Sequence, residues 1–195
     1  MKSNTYFIFI VFAILILSVS AVNAAEDLDL NDNSTSNLIN TREAVPQAET
    51  TVNHNWTVDE FLNNYNTIQD NDVVLIRNGT GTPTGNVVLS QNGIKIITEG
   101  GVTFDGKGQN MHFEITGSNV LIKGVTFKNF SFSNGDGGAV LWNGTDGVLE
   151  DCKFINNKAN NSGGAVFWNG TNGALTGCIF TGNNATVGGA VFLVW

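Results

Sequence analysis

From about residue 72 onward, apolar and polar residues alternate in short runs that glycine or asparagine then cuts. Val102-Thr103-Phe104, Val125-Thr126-Phe127, Cys152-Lys153-Phe154 and Cys178-Ile179-Phe180 share one template, with an apolar residue two positions before each phenylalanine. Successive side chains of a strand point to opposite faces, so each pair shares the inward face. The phenylalanines recur about every 25 residues, and so does Gly-Gly-Ala-Val, which begins at Gly137, Gly163 and Gly188. Such a period marks a solenoid or another repeat array. The unit has no room for a long helix, and two or three short strands cannot bury their apolar side alone. Stacked at about 4.8 Å, they bury it continuously. The expected fold is all-β, a parallel β-helix of about 25-residue rungs over residues 72–195.

Stacking puts like residues over like. Cys152 and Cys178 then replace Val102 and Val125 in one apolar column, as core residues. A disulfide between adjacent rungs fits the Cα separation that disulfides tolerate, but the column accounts for both cysteines without one. The glycine pairs read as corners needing positive φ or close backbone approach. The Asn-Asn pairs at 156–157 and 183–184 read as a second corner, since asparagine tolerates left-handed geometry.

Upstream the pattern changes twice. Thr57 followed by Glu60 forms a capping-box signature, and Val58, Phe61, Leu62 and Tyr65 fall at helical spacing, predicting one short capping helix within residues 53–71. Residues 25–52 are acidic and aperiodic and read as a disordered leader. Before them, Lys2, the apolar run from Tyr6 to Val19 and the small residues up to Ala24 read as a secretory signal over residues 1–24. The chain is expected to be secreted or held at the cell surface.

Composition narrows the function. The formal net charge is −8, and without a basic cluster an acidic chain is poorly suited to bind nucleic acid or anionic lipid through charge. His54 and His112 lie far apart, with no partner at ligand spacing, so neither a metal nor a cofactor is implied. Asp105, Asp136, Asp146 and Asp151 are the carboxylates an acid–base or metal site could draw on. Asp105 stands in turn chemistry, Asp136 precedes a glycine corner, and Asp146 is replaced by Asn172 in the next repeat. No catalytic residue is assigned.

Two motifs carry a resemblance: Gly-Gly-Ala-Val, and Phe-x-x-Asn in "FINN" from Phe154 and "FTGN" from Phe180. They resemble the repeats of the chlamydial polymorphic outer-membrane proteins. The run "GGVTFDGKGQNMHFEITGSNVLIKGVTFKNF" is similar to adhesin-like surface proteins of methanogenic archaea. The likeness spans roughly residues 72–195; it departs at Phe127, where Phe130 replaces the asparagine. It implies a right-handed parallel β-helix and a non-enzymatic adhesin-like role, with attachment to cells, matrix or glycans. The alternative is a fragment of a β-helix polysaccharide lyase or glycoside hydrolase.

Trp142 and Trp168, equivalent by repeat, are the candidate ligand-binding residues if they face outward, and core if they share the inward face of Val140 and Val166. Asn143 and Asn169, in the "NGT" that follows each tryptophan, are the candidate glycosylation sites among eight such triplets. The third Gly-Gly-Ala-Val copy stops at Trp195 before its cysteine–phenylalanine strand, so the repeats are expected to continue in a longer protein, where any membrane anchor would lie.

Overall fold

The computed structural model describes residues 51–194; the expected signal segment over residues 1–24 and nearly all of the expected leader lie outside this range. The described chain is a parallel β-solenoid of about five coils with one short helix at its start. All pairings between strands are parallel and connect equivalent residues of successive rungs.

Three faces recur. The first carries Leu121–Lys123, Val148–Glu150 and Ala174–Thr176. The second carries Val125–Lys128, Lys153–Ile155 and Ile179–Thr181, with Phe127, Phe154 and Phe180 in register. In the first rungs Val73–Gly81 and Lys95–Asp105 run through both faces as single long strands. The third face holds Val87–Leu89, Phe113–Ile115, Val140–Trp142, Val166–Trp168 and Val191–Leu193.

The phenylalanine column is the spine of the core. Ring centroids step from Phe104 to Phe127 to Phe154 to Phe180 at 6.0, 5.1 and 5.0 Å. Burying one such ring is worth about 1.5–3 kcal/mol, so the column is a major source of cohesion between rungs. Val102, Val125 and Cys152 are buried beside it and Cys178 is half-buried, all in the predicted column. Both cysteines are free thiols; the Cys178 thiol and burial together push Cys152 upward in pKa.

At the start of the column, the helix Val58–Asn64 sets Phe61 on Phe104 at 5.4 Å. Thr57 and Glu60 close the predicted capping box: Glu60 N–H donates to Thr57 Oγ1, and Thr57 N–H donates to Glu60 Oε2. The strand His54–Trp56 just before the helix was not foreseen; it pairs with Val74–Ile76 in the first rung.

Corners are left-handed and stacked. Asn71, Gly93, Asn119, Asp146 and Asn172 form one such line, and the N–H of each of the first four donates to a carbonyl of the next rung. Asn129, Asn156 and Gly182 form another. At the glycine pair, Gly163 has φ +65°, and a Cβ on Gly164 would lie 2.1 Å from the Gly189 carbonyl oxygen. The first glycine therefore supplies the backbone angle and the second supplies room for the neighbouring rung.

The departure at Phe130 has a structural answer. Phe130 turns inward against Phe113 and Phe127, and its N–H donates to Asn157 Oδ1 of the next rung. Asn157 repeats the arrangement, donating its N–H to Asn183 Oδ1.

Candidate binding face

The third face decides what the repeats present to solvent. In Val140–Trp142 and Val166–Trp168 the first and last residues are buried and the middle one is half-exposed. Trp142 and Trp168 therefore point inward, at 0% and 3% exposure, with centroids 4.4 Å apart and planes 5° apart. This corrects the outward reading of the two tryptophans: they are core residues, not a platform for a ligand. Their indole rings fill the space over Gly147 and Gly173, where a Cβ would come within 2.4 and 2.2 Å of ring carbons. Neither Nε1–H has a hydrogen-bond partner. The stack therefore forms at the cost of two buried donors, about 1–3 kcal/mol each.

The outward row belongs instead to Val88, Glu114, Leu141, Phe167 and Phe192, which are in register across five rungs. Phe167 and Phe192 stack with centroids 5.5 Å apart and planes at 11°. These residues went unassigned in the sequence, although "VFW" already placed Phe167 opposite Val166 and Trp168. Directly after the strands come Asn143 and Asn169, both exposed, with Asn169 Nδ2 donating to Asn143 Oδ1 at 3.4 Å. The exposure that a glycosylated asparagine needs is present at both.

The Leu141–Phe167–Phe192 part of this row, bordered by primary amides, has defined chemistry. Flat rings offer a surface for the C–H face of a sugar or an aliphatic group, and amides offer donors and acceptors for hydroxyls.

The four acidic residues have structural employment. Asp105 Oδ1 accepts from Asn129 Nδ2 and from the Lys107 N–H at 3.0 Å each, and Lys128 lies 3.3 Å from Oδ2. Burial opposes its ionisation, but those bonds and the lysine outweigh it and hold the carboxyl below its ordinary range. Asp136 accepts the Ser162 N–H, and Asp146 accepts from Asn172 Nδ2. Asp151 takes a left-handed corner at φ +53° and approaches Lys123 at 3.8 Å. The Asp146–Asn172 bond gives the physical reason for their alternation: a corner residue there needs a left-handed backbone and a short polar side chain, which both supply.

Both histidines are hydrogen-bonded. His54 Nε2 meets Asp72 Oδ2 at 2.8 Å, and buried His112 meets the Gly137 carbonyl through Nδ1 at 3.0 Å while stacking on Phe132.

No protein-family model and no curated protein matches the chain.

Proposed function

We propose that this solenoid is an adhesin-like surface protein that attaches to glycans through the outward row of its third face. The supporting observation is the Leu141–Phe167–Phe192 row, kept half-exposed beside the exposed amides of Asn143 and Asn169. Apolar residues aligned on a solvent-facing surface mark interaction sites, and here Leu141, Phe167 and Phe192 offer an apolar surface in three successive rungs. An extended polymer suits such a row, because successive units can meet successive rungs. The role is attachment, not turnover, and the apolar segment from Tyr6 to Val19 would deliver the chain to the secretory route.

A glycan array screened with the full chain and with a Phe167→Ala/Phe192→Ala variant tests this. Retention of specific glycans by the wild type, their loss from a variant that still melts normally, and intact recovery of the bound glycan are the expected results. Glycan cleavage, or equal binding by both proteins, would overturn the reading.

A further inference from the structure

A second surface, away from the phenylalanine row, is built from three successive rungs. It is an open groove of about 430 Å³ lined by Asp105, Lys107, Asn129, Ser131, Asn156 and Lys158, with Phe130 among its lining residues. The loop after Asp105 forms one wall. It begins where the strand ends at Asp105 and is tied to the next rung, with Gly106 N–H donating to the Lys128 carbonyl, Gly108 N–H to that of Asn129 and Ser131 N–H to that of Gln109. Lys107 stands in that loop at φ +48°, a left-handed conformation rare for a long side chain. The bond from its own N–H to Asp105 Oδ1 holds it there. Strain retained at one exposed residue by a specific bond is a motive for assigning it a role.

The charges in the groove are uneven. Asp105 is already matched by Lys128 and Asn129. Lys107 and Lys158 are both exposed, and among the described residues neither pairs with a carboxylate. The Ser131 hydroxyl and the Asn156 amide likewise have no hydrogen-bond partner among the described residues. Two ammonium groups, a hydroxyl and an amide therefore share one groove on a chain whose net charge is −8.

From this juxtaposition of Lys107, Ser131, Asn156 and Lys158 we infer a binding site for a carboxylate-bearing sugar, a uronate unit of an acidic polysaccharide. The inference rests on the glycan-attachment reading and names the ligand class at a separate surface. The lysines meet the carboxylate with charge-assisted hydrogen bonds, and the hydroxyl and amide meet ring hydroxyls. Two lysines are too few for a nucleic-acid polyanion, whose binding scales with the number of phosphates neutralised.

Isothermal titration of the full chain with a short oligogalacturonate, a neutral oligogalactose of equal length and a single-stranded DNA oligomer tests the inference. The variants are Lys107→Asn/Lys158→Gln, where asparagine tolerates the left-handed backbone, and Lys95→Gln, an exposed lysine of the first face, as control. The expected result is preference for the galacturonate, weakening as salt rises. Affinity falls at least about tenfold in the double variant and stays unchanged in Lys95→Gln. Absent or salt-independent galacturonate binding, equal binding of the neutral oligomer, preference for DNA, or an indifferent double variant would each overturn it. A chain that still retains array glycans through Phe167 and Phe192 while failing here would leave the attachment reading standing.

Discussion

Phe167 and Phe192 stack on the solvent side of two strands whose inward side continues the column in which Trp168 lies on Trp142. One three-residue strand thus supplies both a core aromatic and a surface aromatic, and the two should respond differently to substitution.

Truncating the inward ring opens a large cavity. Trp142→Ala is expected to cost about 3–5 kcal/mol, against less than about 1 kcal/mol for Phe192→Ala, whose ring is partly solvated. Urea unfolding monitored by circular dichroism measures both.

The glycine beneath each tryptophan gives a sharper contrast. Gly147→Ala places a methyl within 2.4 Å of the Trp142 ring, whereas Gly85 has nothing within 4 Å of the corresponding position. Overpacking of this kind costs about 1–3 kcal/mol, so Gly147→Ala should lower the urea midpoint clearly while Gly85→Ala leaves it near wild type.

Asn157 is a buried joint between rungs. Its Oδ1 accepts the Phe130 N–H, and its Nδ2 donates to the Phe127 carbonyl and to Asn183 Oδ1. Asn157→Ala strands backbone groups that water cannot reach, and a loss of about 3 kcal/mol is expected. Hydrogen exchange should show the Phe130 amide among the most strongly deprotected.

Burial lowers the pKa of His112, against the opposing pull of the Gly137 carbonyl and of Glu114. The folded state therefore binds the proton less readily than the unfolded state, whose histidine titrates near pH ~6.5. Stability is complete above that pH and declines as pH falls toward the lower folded value. Thermal melts should show this decline below about pH 6.5, and His112→Phe, whatever its absolute stability, should lose that component of the slope.

Much of the scaffold could be read from residue order. The phenylalanine ruler located the core column, valine gave away the cysteines' environment, and Thr57 with Glu60 located the helix start. The Asp146–Asn172 exchange pointed to a shared corner. The orientation of Trp142 could not be read in the same way, because "AVLWN" and "AVFWN" are apolar on both sides of the alternation. Burial contrast then vanishes, and only the closed coil decides which side is inward. The His54–Trp56 strand was missed because three residues with polar Asn55 between two rings carry no usable period. The groove was illegible for another reason: Lys107 and Lys158 belong to different rungs, and only the coil's register and the loop at Gly106 bring them to one surface.

The most direct test of the account is the dissociation constant of the tightest array glycan for three proteins: wild type, Phe167→Ala/Phe192→Ala and Trp142→Phe/Trp168→Phe. The account predicts at least about tenfold weaker binding for the phenylalanine variant at unchanged melting temperature, and wild-type affinity for the folded tryptophan variant. Wild-type affinity in the phenylalanine variant, or lost affinity in a tryptophan variant that remains folded, would contradict it.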